Sequence, residues 1–257
     1  MTGSVNFDFS DKSVLVTGAS SGIGFGIATA FAHAGAELTI LSETNAIHDA
    51  AAALPGDVRA IRCDISNAAA VTRALADIDR LDVLVNNAGL ERPTPLTGRN
   101  PDGNETFERI MAINVTGTQN VTDTLVNRIA DGGRIILTAS IWSRTAVPGF
   151  SAYVASKHAN LGLMRTWAQE LGPRRICVNA VCPGWIKTGP AMNSLRELAL
   201  SSGRSEDEVA AEIMSAQAID GLMVPNDIAG LYLFLASAGG RNITGQAINI
   251  DRGEVMA

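Results

Sequence analysis

Along the chain, short runs of β-branched and aliphatic residues alternate with longer stretches whose apolar positions recur every three or four residues. The short runs are the pattern of strands buried on both faces; the longer ones are the pattern of helices with one apolar side. Strands are predicted at Val14–Thr17, Leu38–Leu41, Val58–Arg62, Val83–Val85, Arg134–Ser140, Ile176–Val181 and Ala247–Ile250. Helices are predicted at Ile23–Ala34, Ala46–Leu54, Ala68–Ile78, Phe107–Ile129, Tyr153–Leu171 and Ile228–Leu235. Apolar strands separated by helices imply a parallel sheet covered on both faces, and right-handed crossovers make it doubly wound. The expectation is a single α/β domain over residues 1–257, with about seven strands and no Pro/Gly/Ser linker or internal repeat. One segment stands apart. Met192–Ile219 reads as two helices joined at Ser202–Gly203, after the C-terminal end of a strand, where ligands bind in such sheets. Residues 190–220 are therefore expected to form a small helical substrate lid.

Composition narrows the function. Hydrophobic residues make up 46% and charged residues 18%, which suits a packed core rather than disorder. The net charge of -6 supplies no basic face for nucleic acid. A phosphate-bearing cofactor remains open, because a helix N-terminus holds phosphate through its backbone. The cysteines, Cys63, Cys177 and Cys182, are odd in number and form no C-x-x-C pair, so neither a disulfide framework nor a zinc site is expected. His33, His48 and His158 are scattered, and no metal is assigned. No leader pattern and no membrane-length apolar run occur, so the expectation is a soluble cytoplasmic protein without membrane or nucleic-acid partners.

Chemistry begins at the first strand, which runs into Thr17-Gly18-Ala19-Ser20-Ser21-Gly22-Ile23-Gly24 and then a helix. Glycines at this spacing permit a sharp turn and close approach of a ligand to the backbone. The free amides at the helix start would face a pyrophosphate. The context of strand, glycine turn and helix predicts a Rossmann-like dinucleotide site at Gly18, Ser20, Ser21, Gly22, Ile23 and Gly24. An acidic residue for the adenosine ribose should follow the second strand, about 20 residues on. Ser42-Glu43-Thr44 stands there without Arg or Lys, and Ser21 is not basic. A 2′-phosphate would meet Glu43 and no cation, so NAD is favoured over NADP.

Tyr153 and Lys157 are spaced i, i+4 and share a helix face. A lysine ammonium beside a phenol favours the phenolate, the tuning that a general acid/base for alcohol oxidation needs. Ser140 closes the strand before Tyr153 and offers a hydroxyl to a substrate oxygen. Asn86-Asn87-Ala88-Gly89 follows another strand, Asn114 sits between apolar neighbours in the long helix, and Pro183-Gly184 follows a third strand with Thr188 close behind.

In this order these motifs resemble the compact one-domain branch of the short-chain dehydrogenase/reductase family. The matching residues are TGASSGIG, Asp64 after the third strand, NNAG, Asn114, Ser140, Tyr153-x-x-x-Lys157, and Pro183-Gly184 with Thr188. The resemblance runs from about Lys12 to Asp251. It implies Tyr153 as catalytic acid/base, with Lys157 lowering its pKa and holding the nicotinamide ribose. It also implies Ser140 as the residue orienting the substrate oxygen, and Asn114 as keeper of a water linking Lys157 to solvent. Asp64 and Ile65 would lie at the adenine, Asn86, Ala88 and Gly89 along the adenosine side, and Pro183, Gly184, Ile186 and Thr188 at the nicotinamide. A homodimer or homotetramer is implied as well. Arg252 departs from the family pattern, where a glycine is usual, and it and Glu254 are candidates for substrate contact or assembly.

Substrate residues are expected near Ser140, after NNAG and in the lid, which brings in Glu91, Arg92, Trp142, Arg144, Trp185 and Lys187 beside Ser140 and Tyr153. This is more polar than a slot for a steroid or fatty acyl chain. A small polyol, sugar or sugar-derived hydroxy acid is expected, with Glu91 accepting from hydroxyls and Arg144 or Arg92 meeting a carboxylate. The competing readings are an NADPH-dependent ketoreductase of 3-oxoacyl thioesters, which the missing base at Ser21, Ser42 and Glu43 disfavours, and a non-catalytic cofactor-binding protein, which would have no need of Asn114, Ser140, Tyr153 and Lys157 together. An enoyl reductase fits less well, because the relevant relatives space Tyr and Lys more widely.

Overall fold

The computed structural model describes residues 5–97 and 103–256. The apolar runs form a parallel sheet of seven strands: β1 (Ser13–Thr17), β2 (Glu37–Ser42), β3 (Arg59–Arg62), β4 (Leu81–Asn86), β5 (Ile129–Thr138), β6 (Cys177–Pro183) and β7 (Ala247–Ile250). Their order is β3-β2-β1-β4-β5-β6-β7. Val16 pairs with Ile40 on one side and with Val85 on the other. The chain therefore leaves β3 at one edge and re-enters beside β1 as β4. This reversal opens a crevice at the C-terminal ends of β1 and β4, the place where such sheets take ligands.

Side-chain alternation along the strands divides the interior into two layers. Leu15, Leu84, Ile135 and Val178 face the helices α3 (Ala68–Ala74), α5 (Thr118–Leu125) and α6 (Ser151–Leu171), through Val71, Val121, Leu125, Leu161 and Met164. Val14, Val16, Val85 and Ile136 face α1 (Gly22–His33), α2 (Ala46–Ala52) and α9 (Pro225–Ala236), through Ile27, Phe31, Ile47, Ile228 and Tyr232. The single α/β domain with helices on both faces stands as read from the pattern.

Two helices differ from the pattern for definable reasons. The long helix starts as α4 (Gly103–Met111), passes through a π turn at Ala112–Gly117, and continues as α5 only to Leu125. Ile129, apolar and in phase with the helix, instead opens β5 and pairs with Leu81. The expected Ala68–Ile78 helix stops at Ala74, and Arg128 Nη1 takes up the carbonyls of Leu75 at 2.6 Å and Ile78 at 3.1 Å. Leu75 and Ile78 stay buried without being helical.

The Met192–Ile219 insertion folds as α7 (Gly189–Ser202) and α8 (Glu206–Ser215), with Gly203 at φ 67° making the turn between them. Ser205 caps α8 by accepting from the Glu208 amide, while the Glu208 carboxylate accepts from the Ser205 amide. The pair has a small core of its own, Leu195, Ala199 and Val209, against which Trp185 and Met192 pack.

Candidate functional site

A cleft of about 430 Å³ runs along the C-terminal ends of the strands, from Glu43 and Asp64 past the glycine turn to Tyr153 and Trp185. At its centre the turn after β1 is closed by hydrogen bonds. Thr17 Oγ1 accepts from the amides of Asn87 and Ala88, both at 3.0 Å, and Asn87 Nδ2 donates to the carbonyls of Thr17 at 3.1 Å and Gly18 at 3.2 Å. Gly18 has φ 67°, a conformation that side chains resist. A Cβ on Gly24 would stand 2.2 Å from the Gly18 carbonyl oxygen. Helix α1 begins at Gly22 with no side-chain cap from Ser21, so its first amides lie open along the cleft wall. This arrangement fits a dinucleotide: tight backbone for a pyrophosphate, and room on either side for two nucleosides.

At the end of the cleft past β2, where the adenosine is expected, stand Ser42, Glu43, Asp64 and Ile65, with Ser20 Oγ 3.0 Å from Ser42 Oγ. The expectation that a 2′-phosphate would find no cation beside Glu43 is corrected here, because a guanidinium stands at this end of the cleft. Arg109, on α4, reaches over to bond Glu43 and Asp64, and Arg62 Nε donates to the Glu43 carbonyl at 3.2 Å. Burial pushes the Asp64 carboxyl up, but its bonds from Ser66 and Arg109 outweigh that and hold it below the ordinary value.

At the other end, Ser140 lies just past β5 and caps a short 3-10 turn, Ile141–Ser143. Its hydroxyl accepts from the Trp142 amide at 3.2 Å and lines the same end of the cleft as the Tyr153 phenol. Lys157, 3% exposed, donates from Nζ to the Thr138 carbonyl at 2.7 Å and lies 5.5 Å from the centre of the Tyr153 ring. The expected lowering of the Tyr153 pKa is not what this protein shows by itself. Burial, followed by the Glu91 charge, pushes the phenol upward, against the pull of Ser140. Burial also pushes Lys157 down to about 8.

Asn114, fully buried in the π turn, holds the loop after NNAG. Its Oδ1 accepts from the Leu90 amide at 2.7 Å, while Nδ2 donates to the Leu90 carbonyl at 3.0 Å and to Ser156 Oγ at 2.9 Å. Gly89 is the spacer: a Cβ there would sit 3.4 Å from Asn114 Oδ1 and 3.5 Å from Lys157 Nζ. The next residue but one, Glu91, turns inward and accepts from Ser194 Oγ of α7 at 2.8 Å; burial raises its pKa. Trp142 stands edge-on to both Tyr153 and Trp185, with ring centres 5.9 and 6.1 Å away.

Most of the expected site residues share this cleft. Ile23, Ala88, Gly89, Arg92, Pro183, Gly184, Ile186 and Thr188 line it, and Thr188 also caps α7 by accepting from the Ala191 amide. Asn86, Asn114, Arg144 and Lys187 do not line it. Asn86 ends β4 on the α5 side and donates to Thr122 Oγ1 at 3.0 Å, leaving the cleft to Asn87. Asn114 acts from behind, through Leu90. Arg144 is exposed, lies outside the cleft lining and donates to the Ala247 carbonyl of β7. Lys187 is also off this cleft. Arg252 donates to the Asp220 carbonyl and, through its own carbonyl, accepts from the Ala218 amide at 2.9 Å, tying the C-terminal turn to the segment after α8. Of the residues that sequence reasoning missed, Asn87 was one place from the residue chosen, and Arg109 carried no local signal.

Fold and cleft together define a class: an α/β protein built around a dinucleotide crevice with a Ser–Tyr–Lys group at one end. Comparison with known proteins makes this specific. A family model described as enoyl-(acyl carrier protein) reductase matches residues 18–254. The D-beta-hydroxybutyrate dehydrogenase of Cupriavidus necator is 33% identical over 259 residues, covering 95% of this chain and 98% of its own. A short-chain type dehydrogenase/reductase from Mycobacterium marinum superposes with a TM-score of 0.82 at 32% identity, with 98% of each chain covered. The 3-ketoacyl-(acyl-carrier-protein) reductase of Brucella melitensis, solved with NADH, gives a TM-score of 0.81 at 28% identity, over 95% of this chain and 98% of its own. The chain belongs to the short-chain dehydrogenase/reductase family and is an oxidoreductase of that type. The family uses a nicotinamide cofactor. Among the described residues no helix is long and apolar enough to cross a membrane.

Proposed function

We propose that this protein moves a hydride between NAD and a secondary alcohol or ketone of a small polar molecule, a polyol or sugar foremost. The bound nicotinamide supplies the hydride acceptor or donor. The chain supplies placement and the proton. Tyr153 Oη exchanges a proton with the substrate oxygen, and Ser140 Oγ, which lines the same end of the cleft, holds the same oxygen. Lys157, fixed at the Thr138 carbonyl, carries positive charge beside the phenol and toward the nicotinamide ribose. Asn114 positions Leu90, and through it Glu91, beside Lys157. The α7–α8 pair acts as the lid, latched by Ser194 on Glu91.

Glu91 and the edges of Trp142 and Trp185 favour a substrate that carries hydroxyl donors. A hydroxy acid must rely on Arg92, which lines the cleft, since Arg144 is engaged at β7. NAD is preferred because Glu43 stands where an adenosine ribose offers hydroxyls. Action in the cytoplasm as a dimer or tetramer belongs to the same reading. The observation that carries it is the convergence of Ser140, Tyr153 and Lys157 on the end of the cleft that leads from the glycine turn.

The test is Tyr153→Phe, assayed for NAD-linked oxidation of a panel of polyols, with NADH binding followed by fluorescence. Turnover is expected to fall roughly 10²–10⁴-fold with NADH affinity unchanged. Retained turnover would remove Tyr153 from the chemistry. A wild-type protein that binds NADH and turns over nothing would favour the non-catalytic reading.

A further inference from the structure

At the adenosine end Arg109 joins three segments distant in sequence. Its Nη2 donates to Glu43 Oε2 at 3.1 Å and to Asp64 Oδ2 at 2.9 Å, and its Nη1 donates to Ser66 Oγ at 2.6 Å. The two carboxylates are held differently. Asp64 also accepts from the Ser66 amide at 3.0 Å and the Ser66 hydroxyl at 2.8 Å, so it is anchored in its own loop. The Glu43 side chain is 54% exposed, and Arg109 is the cation that bonds its carboxylate. Arg62 also reaches this loop but bonds the Glu43 carbonyl and Asn45 Oδ1 instead of the carboxylate. Glu43, Asp64 and Arg109 all line the cleft; Arg62 does not.

We propose that Arg109 is a cofactor-selecting positioning residue: it holds Glu43 where the adenosine ribose presents its 2′-hydroxyl, and it is itself the cation that a 2′-phosphate would use once Glu43 is gone. A guanidinium suits both tasks, because its fork accepts a carboxylate or a phosphate in one geometry. With Glu43 in place the guanidinium already serves two carboxylates, and a 2′-phosphate meets net negative charge. With Glu43 removed, Asp64 and Ser66 keep the guanidinium aimed at the cleft. This inference rests on the NAD reading above.

The test is a double-mutant cycle on the full-length protein, with NADH and NADPH affinities measured by fluorescence titration for wild type, Glu43→Ser, Arg109→Leu and the double variant. Thermal unfolding checks that each variant folds, and Arg109→Lys provides a charged control. Arg109→Leu is expected to weaken NADH roughly two- to fivefold, the scale of a partly exposed ion pair. Glu43→Ser is expected to gain NADPH affinity by roughly tenfold or more, since a charge-assisted phosphate contact replaces repulsion, and that gain should shrink with added salt. The double variant should lose the gain. The proposal is overturned if Glu43→Ser gains nothing, or gains as much without Arg109 as with it, because Arg62 or the backbone would then be the cation site. A wild type that binds NADPH as tightly as NADH would sink the NAD reading alone; the dependence of the Glu43→Ser gain on Arg109 would still decide this one.

Discussion

At the glycine turn the cleft presents backbone, whereas at its reacting end it presents side chains from β5, α6, α7 and the loops after β4 and β6. The first surface is made by a contiguous stretch whose shape depends on the absence of side chains. The second is made by residues far apart in the chain, and the sheet alone brings them together. The turn should therefore tolerate no added bulk, while the reacting end should respond to the loss of single polar groups. Gly24→Ala tests the first half most severely. The new methyl would meet the Gly18 carbonyl at 2.2 Å and Asn87 Nδ2 at 2.4 Å, and neither is the loose end of a flexible chain. NADH affinity is expected to drop at least tenfold, about 1.4 kcal/mol, together with a stability loss of roughly 1–3 kcal/mol from overpacking. Titration and urea unfolding of the same sample check both. Unchanged affinity would mean that the turn does not set the phosphate site.

The reacting end should show the opposite signature. Glu91→Ala removes a carboxylate that touches the lid and faces Tyr153, and leaves the glycine turn alone. The expected effect is a fall in kcat/KM for polyols of about 10- to 100-fold, the scale of a hydrogen bond to a charged group, with NADH affinity unchanged. Ser194→Ala, which removes only the lid's partner, should produce a smaller effect in KM. If Ser194→Ala equals Glu91→Ala, the carboxylate matters as a latch and not as a substrate contact.

The same contrast explains what could be read from the chain. The glycine turn and Tyr153-x-x-x-Lys157 are local patterns, and the sheet order follows from alternating strands and helices. Arg109 was invisible because its partner Glu43 is 66 positions away, and nothing near either residue marks the pair. Asn86 is a different case. Leu84 faces the α5 layer and Val85 the α1 layer, so period-two alternation puts Asn86 with Leu84, away from the cleft. The signal is present in the sequence, but it appears only when the strand is extended past Val83–Val85 to Asn86. Arg144 had no such signal, since its choice between the cleft and the Ala247 carbonyl depends on where β7 lies.

The smallest expected effect lies in stability and separates burial from chemistry at the reacting end. Lys157 is held in a desolvated site faced by Tyr153, Glu91 and Cys182, and burial is the main cause of its fall from 10.5 to about 8. Below pH 8 both folded and unfolded chains keep the proton, and the folded state bears the full cost of the buried charge. Between pH 8 and 10.5 the unfolded chain holds a proton that the folded chain has shed, so stability rises with pH through this window. Above it both forms are neutral and the cost is gone. Cys182, whose thiol burial pushes up, works in the opposite direction, as the unfolded chain ionises it first. Lys157→Met retains Cys182, so the comparison removes its titration except for the further rise that losing the neighbouring ammonium causes, and a Cys182→Ser background removes that remainder. The stability of wild type relative to the variant should therefore climb from pH 8 toward pH 10, by at most about 1.4 kcal/mol per pH unit. Urea unfolding of both proteins at several pH values measures it. A flat difference would show that the Thr138 carbonyl and the Glu91 charge fully offset burial, leaving Lys157 charged throughout the pH range in which the enzyme works.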